Sequence, residues 1–262
     1  MKKVVLKTVD LVKFNSFIDS LIPLSESGTI YFKIDSEGLS TDSHNSSGTI
    51  IKSLRTSIGE ICGESNLDKV EGPIKFCFYD GKKVKKAFSF LSGSDIKCEI
   101  TFQKLDSTGE LFAESMRVSS PKISFTLDAA DPDLFEFANV PAESIAEVKD
   151  VTNADCNFRM TANEILQVQK FFDFDTNEEV EFQVNGEVRV VSEGAYNIAI
   201  SDDFEGLSGG GTNSYKVSKD LFKLLDFNTY IVYPLIDECK IIFEAEDKTS
   251  EVVLTLHEDL EL

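Results

Sequence analysis

The two halves of the chain repeat one order of predicted elements, and this repeat constrains the fold more than any single motif does. Each half is predicted to contain a strand, a helix, two strands joined by a turn, a lysine-rich helix and three further strands. In the first half these elements lie at 4–7, 9–21, 29–34, 39 onward, 82–91, 95–103, 110–118 and 122–127. In the second half they lie at 157–160, 162–172, 180–184, 187–191, 216–225, 229–236, 239–246 and 251–256. The repeat predicts an α+β fold with two similar domains in tandem.

The stretch between the two halves has the features of a connector. It has no regular apolar period and it contains two prolines, Pro132 and Pro141. At ~150 residues per domain, the length of 262 residues fits two domains or one large one, and the repeat favours two. We therefore expect domain 1 over 1–128, the connector over 129–141 and domain 2 over 142–262. The apolar side chains of the connector either pack on the sheet beneath or line a groove for a partner.

Charge is divided unevenly along the chain. Residues 1–130 carry 17 basic and 17 acidic side chains, whereas residues 131–262 carry 9 basic and 29 acidic ones. The net charge of −20 therefore lies in the second half. An evenly acidic protein would be repelled by DNA phosphates, so nucleic-acid binding requires that the lysines be clustered.

Two predicted helices concentrate lysines in this acidic chain. The segment 82–91 places four lysines beside Val84 and Phe88 at helical spacing, and 216–225 repeats the pattern with Ser218 as a candidate N-cap. Lysines on or beside all four predicted helices are Lys7, Lys13, Lys82, Lys83, Lys85, Lys86, Lys170, Lys216, Lys219 and Lys223. Such faces either bind a polyanion or are solvated without a partner, and the presence of two basic helices favours binding.

The sequence contains no signature of an enzyme. It lacks GxSxG, HExxH, GxGxxG and Walker-type motifs, and its two histidines, His44 and His257, are far apart. A stretch at 173–177 begins like a calcium loop but lacks the required glycine and bidentate glutamate. The five cysteines form no CxxC pair. We therefore predict a protein that is not an enzyme and has no metal and no cofactor.

The sequence also favours an intracellular location. No apolar run approaches the ~18 to 20 residues that a membrane helix needs. Lysine interrupts the first residues too early for a secretory signal. We therefore expect a cytoplasmic protein with no membrane association.

The order of elements, the acidic total and the lysine-bearing helices resemble the DNA sliding clamps of the proliferating cell nuclear antigen and T-even phage clamp family. Most specific are 215–256, which follow that family's order of helix and strands, and 124–132, which is similar to the phage type. The resemblance implies a homotrimeric ring of six domains, with antiparallel sheets outside and helices lining the hole. It implies a processivity factor that encircles double-stranded DNA, tethers the DNA polymerase and is opened by a clamp loader. A phage-type clamp would act in the cytoplasm of a bacterial host.

The resemblance also implies two sets of site residues. The ten lysines named above would face the DNA without reading its sequence, those of 82–91 and 216–225 most directly. In the family, partner peptides dock in an apolar pocket beneath the connector. Carried over by position, that pocket would involve His44, Leu134, Phe135, Phe137, Pro234, Leu256 and His257. A closed ring also needs edge strands that pair between copies, and 110–118 and 197–201 are candidates.

Other functions fit the same sequence. A processivity subunit of the herpesvirus type would hold DNA on one open basic face as a monomer or dimer. An acidic, β-rich interaction or structural protein would carry its lysine helices as solvated faces only. A carboxylate-dependent hydrolase would need two carboxylates converging in a pocket, which the sequence does not indicate.

Overall fold

The chain is represented by a computed structural model that describes residues 2–25, 28–45, 47–105, 108–131, 140, 142–174, 176–201, 204–206, 213–226 and 228–255. It divides into two compact units. Unit 1 comprises Met1–Ser46 and Ser53–Val140, and unit 2 comprises Ser47–Lys52 and Pro141–Leu262. No pattern in the sequence indicated that the six residues 47–52 would belong with the second unit.

The strands that begin in the first half of the chain are β1 (Lys2–Val9), β2 (Ile30–Ile34), β3 (Gly38–His44), β4 (Ile50–Ser57), β5 (Cys62–Ser65), β6 (Ile74–Phe78), β7 (Lys97–Lys104), β8 (Leu111–Ser119) and β9 (Ser124–Asp128). The helices are α1 (Leu11–Leu21), α2 (Ile58–Ile61) and α3 (Gly81–Ser89), with 3-10 turns at Ile22–Leu24 and Leu67–Lys69. The division between the units falls within β4, whose first three residues belong to unit 2.

In unit 1 the strands follow the order β3-β2-β6-β8-β7-β1-β5, and β9 pairs with β8. The β6 and β8 strands pair in parallel, with Ile74 opposite Leu111. Because β8 contacts β6, β7 and β9, the prediction that 110–118 is an edge strand is wrong. β9, which follows it, pairs only with β8 among the described strands, and β5 likewise pairs only with β1.

Aromatic side chains fill the space between the helices and the sheet of unit 1. The ring of Phe14 on α1 stacks on Phe88 of α3 at 4.7 Å and meets Phe32 of β2 edge-on at 6.4 Å. Phe32 in turn stacks on Phe76 of β6 at 4.8 Å. Each of these rings is almost fully buried, and such large apolar surfaces dominate the energetics of a small core. The core therefore fixes α1 and α3 side by side on one face of the sheet.

The strands of the second half are β10 (Asn157–Met160), β11 (Glu179–Val184), β12 (Val188–Ser192), β13 (Tyr196–Ser201), β14 (Phe204–Glu205), β15 (Asn213–Ser218), β16 (Tyr230–Leu235), β17 (Lys240–Ala245) and β18 (Ser250–Thr255). The helices are α4 (Ala142–Val148) and α5 (Ala162–Phe171), with 3-10 helices at Phe172–Phe174 and Lys219–Lys223. One run of strands has the order β14-β10-β16-β17-β18, and a separate sheet has the order β13-β12-β11-β15.

The ring of Phe182 on β11 lies at the centre of unit 2. It contacts Phe158 of β10 at 5.6 Å, Phe222 of the 3-10 helix at 6.1 Å and Phe243 of β17 at 6.2 Å. The helix α4, which the sequence did not predict, packs Val148 against a second cluster on β16, β17 and β18. Unit 2 thus repeats the helix-on-sheet design of unit 1 and adds α4 to it.

A buried lysine ties the start of β4 into unit 2. The side chain of Lys52 has no solvent exposure, and its ammonium group donates to the carbonyl of Leu224 at 2.6 Å and to Asp226 Oδ1 at 3.2 Å. Burial lowers the pKa of Lys52, and the Asp226 carboxylate opposes that shift. A buried ammonium with two oxygen acceptors is tolerated, whereas one without them is costly.

The predicted helix at 216–225 is wrong in its first part. Residues up to Ser218 continue β15, in which Tyr215 and Val217 are buried opposite Phe182 and Val180 of β11. Only Lys219–Lys223 is helical, as a short 3-10 helix, and the Ser218 hydroxyl accepts the Asp220 N–H as the predicted cap. Alternation of buried side chains against a neighbouring strand outweighs the helical spacing of the leucines.

Candidate nucleic-acid interface and partner pocket

The helix α3 presents its lysines because its other side is fixed by packing. Asp80 caps the helix by accepting the Lys83 N–H at 2.9 Å, and Val84 and Phe88 are buried. Gly81 allows the helix to start close to β2, since an added Cβ would lie 2.8 Å from Ile30 Cγ2. All four lysines of α3 are consequently on the exposed side of the helix.

The four lysines of α3 differ in their electrostatic state. Lys85 Nζ lies 2.7 Å from Asp19 Oδ1 on α1, so much of its charge is neutralised. Among the described residues, Lys82, Lys83 and Lys86 have no ion-pair partner. Three exposed cations on one short helix provide a compact positive surface of the kind that phosphate groups bind.

The two other predicted lysines of unit 1 are paired with glutamates. Lys13 on α1 lies 3.5 Å from Glu60 of α2. Lys7 on β1 donates to Glu64 of β5 at 2.8 Å, and this hydrogen bond raises the pKa of Lys7 and lowers that of Glu64. Because Lys7 alternates with the buried Leu6, its side chain is on the other face of the strand from Leu6. Lys13 therefore lies on the helix that packs against α3, whereas Lys7 lies on a strand, on the face opposite Leu6.

In unit 2 the predicted lysines surround the end of α5. Lys170 is exposed on α5, which begins with the predicted capping box between Thr161 and Glu164. Lys219 lies 5.3 Å from the centre of the Phe172 ring, within range of a cation–π contact. Lys223 Nζ is 2.5 Å from Asp220 Oδ1, so its charge is offset. This face is less positive than the α3 face.

Lys216 is the predicted site residue whose surroundings differ most from expectation. It lies on β15 opposite Glu181 of β11 and alternates with the buried Tyr215 and Val217. The 3-10 helix packs on the face of Tyr215 and Val217, where Phe222 stacks on Phe182. Lys216 therefore belongs to the opposite face of the sheet from the 3-10 helix.

The described ends of the connector are hydrogen-bonded to β6 and β3, the two strands of unit 1 on either side of β2. Ala130 donates its N–H to the carbonyl of Cys77 on β6 at 2.8 Å, and Val140 donates to the carbonyl of Asp42 on β3 at 3.0 Å. Between them, on β2, Tyr31 forms a small buried cluster with Cys77 and Ala130. This surface is on the opposite face from Phe32 and the helices, because neighbouring residues of a strand alternate.

Tyr31 is the residue of this surface that sequence reasoning missed. Its side chain is only 4% exposed, and its hydroxyl has no hydrogen-bond partner among the described residues. Burial raises the pKa of Tyr31 far above its usual 10.0, and Lys33 Nζ lies 5.8 Å from its ring centre. The signal in the sequence was the run Ile30-Tyr31-Phe32, which places an aromatic ring on each face of the strand.

Two of the predicted pocket residues are described. His44 is at the end of β3 in unit 1, where its Nδ1 is 2.7 Å from the carbonyl oxygen of Asn45. Pro234 is buried on β16 in unit 2, and its carbonyl accepts the Asp155 N–H at 2.9 Å. The others, Leu134, Phe135, Phe137, Leu256 and His257, lie outside the described residues.

Each unit has an edge strand bordered by exposed aromatic rings. Beside β9, Phe90 is 53% exposed and its ring lies 5.8 Å from that of Phe125. Beside β13, which pairs only with β12 among the described strands, Phe174 is 74% exposed and contacts Phe171 at 5.7 Å. The strand predicted near 197–201 is therefore an edge strand. Exposed edges with apolar borders are unusual in a protein that remains monomeric.

The described ranges contain neither a metal-ligating cluster nor a membrane-spanning helix. Within them, no three His, Cys, Asp or Glu side chains are grouped so that they could hold a metal ion. None of the helices in this part of the chain has the length and apolar character needed to cross a membrane.

Comparison with known proteins defines the fold. No protein-family model and no curated protein matches the sequence. Among solved structures, the chain is similar to the crystal structure of proliferating cellular nuclear antigen from Entamoeba histolytica. The TM-score is 0.70 and the identity 14%, over 97% of this chain and 99% of that one. The predicted α+β fold class is confirmed: the chain adopts the sliding-clamp fold.

Proposed function

We propose that this protein is a sliding clamp that encircles double-stranded DNA as a homotrimer and tethers a DNA polymerase. The observation that carries the proposal is the α3 surface: three lysines without an ion pair among the described residues, on a clamp fold whose total charge is −20. Phosphate contacts from lysine hold DNA without reading its sequence, so the protein can slide. An acidic remainder repels DNA and directs the duplex to the lysines.

Within this proposal, Lys82, Lys83 and Lys86 are the principal DNA contacts. Lys13, Lys85, Lys170, Lys219 and Lys223 add weaker contacts, because most of them lie beside a carboxylate or an aromatic ring. The positions of Lys7 and Lys216 on strands, away from the helices of their units, give them no direct part.

We further infer that copies of the chain join through β9 and β13. Both are edge strands, and each can extend the sheet of another copy by backbone hydrogen bonds. The exposed rings of Phe90 and Phe174, which contact the half-buried Phe125 and Phe171, supply apolar surface beside the two strands. A head-to-tail contact between two different edges closes into a ring when its rotation matches the number of copies.

The partner surface of the proposed clamp is the face of β3, β2 and β6 beneath the connector. The connector is fixed to β6 and β3 at its described ends, and Tyr31 lies between them. We propose that peptides of the polymerase and of the clamp loader dock here, with the apolar connector residues Leu134, Phe135 and Phe137 as contacts. The phage-like stretch 124–132 extends the proposal to a phage-type clamp acting in the cytoplasm of a bacterial host.

Two measurements test the ring. Light scattering across a dilution series should give a mass near three chains of 29.1 kDa that falls on dilution. The protein should also stay on nicked circular duplex and be lost when the same DNA is linearised. A constant mass of one chain, or equal loss from both DNA forms, rules out the ring. DNA binding by such a monomer would indicate the open-face type of processivity subunit.

A matched pair of variants tests the DNA surface. Lys82→Glu with Lys86→Glu should reduce DNA affinity by at least about tenfold, because both lysines lie on one side of α3. Lys97→Glu with Lys122→Glu makes the same change in net charge at two exposed positions of unit 1 that are not part of α3. Equal losses in the two variants would favour an acidic protein whose lysine helices are only solvated.

A further inference from the structure

We propose that unit 1 carries a pocket for phosphate groups at the end of its sheet where β1 begins. The pocket has a volume of about 470 Å³ and is lined by β1, β7, β8 and the 3-10 turn Leu67–Lys69 with the residues that follow it. It belongs neither to α3 nor to the surface beneath the connector. The inference is independent of the proposed ring.

The strand register builds the pocket from one face of the sheet. Lys2 lies opposite Phe102, and Lys104 lies opposite Leu111. Because Phe102 and Lys104 are two residues apart, all four side chains point to the same side. Phe102 and Leu111 are buried and form an apolar floor, while Lys2 and Lys104 are exposed at its rim.

An asparagine fixes the remaining wall of the pocket. Asn66 Oδ1 accepts the N–H of Val5 at 2.7 Å, which attaches the turn carrying Lys69 to β1. The side-chain oxygen of Asn66 therefore already accepts a hydrogen bond. Its NH₂ group has no hydrogen-bond partner among the described residues. The pocket therefore contains a held neutral donor in addition to its cations.

The charges of the lining are strongly unequal. Four lysines and one glutamate, Glu71, line the pocket. Lys3 is neutralised by Glu99 at 2.7 Å, but Lys2, Lys69 and Lys104 have no ion pair among the described residues. These are three cations against one carboxylate, in a chain with 46 acidic side chains. Lysine ammonium groups are compact donors that suit phosphate oxygens.

The chemistry identifies the ligand as a phosphate-bearing molecule. Three ammonium groups and an amide N–H match a group with two or more negative charges better than a single carboxylate. The volume is within the ~300–1,000 Å³ range of small-molecule sites, and the floor of Phe102 and Leu111 can accept an apolar portion. The phosphates come either from a free nucleotide or from the backbone of a nucleic-acid strand.

Calorimetric titration of the full chain tests the pocket with three probes: inorganic pyrophosphate, dATP and a short single-stranded DNA. Saturable binding of pyrophosphate or dATP indicates a free nucleotide as the source, and binding of the strand alone indicates a nucleic-acid backbone. Lys69→Glu with Lys104→Glu should weaken that binding at least about tenfold, or ~1.4 kcal/mol. The control pair, Lys97→Glu with Lys122→Glu, should weaken it less than about twofold.

Two results overturn the proposal: no probe saturates the wild-type protein, or both double variants weaken binding equally. Lys69 and Lys104 are exposed, so their replacement should not disturb the fold, and a circular dichroism melt checks this. If the glutamate pair unfolds, Lys69→Gln with Lys104→Gln removes the same two charges without adding repulsion. The glutamine variant should then also bind the probe more weakly than the wild-type protein and the control pair do.

Discussion

Lys82 and Lys85 are one turn apart on the same exposed helix, yet alanine at these positions should have different effects on DNA binding. Lys85 Nζ is 2.7 Å from Asp19, whereas Lys82 has no ion pair among the described residues. Each phosphate that a protein neutralises contributes ~0.9 to the slope of log K against log salt. In the proposed trimer, Lys82→Ala removes three cations at once, so the slope should fall by about 1 to 3.

Lys85→Ala should lower the slope by less than half of that amount. A cation already neutralised by a carboxylate releases fewer counterions from DNA when it approaches a phosphate. For the same reason Asp19→Asn, which frees Lys85, should steepen the slope and strengthen binding. The two substitutions on the Lys85–Asp19 pair therefore act in opposite directions.

Fluorescence anisotropy of a labelled duplex of arbitrary sequence, titrated over a series of salt concentrations, measures these slopes. The same duplex must be used for the wild-type protein and all three variants, because the slope depends on the DNA. Equal reductions for Lys82→Ala and Lys85→Ala would show that the Asp19 pair does not control the charge of α3. A slope that no variant changes would remove α3 from the interface.

Three further predictions concern stability, its pH dependence and assembly. Lys52→Met should lower the free energy of unfolding in urea by about 2–4 kcal/mol, somewhat under the cost of breaking a fully buried pair because Asp226 is 24% exposed. Lys223→Met, which breaks an exposed pair, should cost less than ~1 kcal/mol, and equal costs would contradict the role of burial. Since burial lowers the pKa of Lys52 below 10.5, the unfolded chain binds more protons between the folded pKa and 10.5. The stability difference between wild type and Lys52→Met should therefore grow as the pH rises through that window. Phe174→Ser should raise the dissociation constant of the trimer about tenfold without altering the unfolding free energy, because this ring is exposed in the single chain; an unchanged dilution series would exclude it from the interface.

The elements that the sequence predicted well are those whose local signals agree. In α3, the helical spacing of Val84 and Phe88 and the cap at Asp80 all indicate the same structure. The capping box of α5 and the Asn185-Gly186 turn between β11 and β12 are similar cases. Where the apolar spacing, the cap and the turn residues indicate the same element, tertiary contacts do not change that element.

The predictions from sequence were wrong or missing where residues far away in the sequence determine the local structure. The stretch 42–81 had no predicted elements, but it contains β4, α2, β5 and β6, which are short and are held by strands far away in sequence. Residues 216–218 share the helical spacing of the residues that follow them, yet they pair with β11. The pairing of Lys85 with Asp19 is likewise invisible in the sequence, because it depends on how α1 and α3 are packed.

The contact between Lys52 and Asp226 has a consequence for synthesis on the ribosome. The two residues are 174 positions apart, so at ~5–20 residues per second Lys52 emerges roughly 10 to 35 s before its acceptor exists. During that interval the first residues of β4 lack the residues of unit 2 that they contact in the folded protein. A fragment that begins at the connector would lack Ile51 and Lys52 altogether, leaving a gap in the Val148 cluster and removing the ammonium group that donates to Asp226. The second unit is therefore complete only when residues 47–52 and the much later residues 141–262 have both been synthesised.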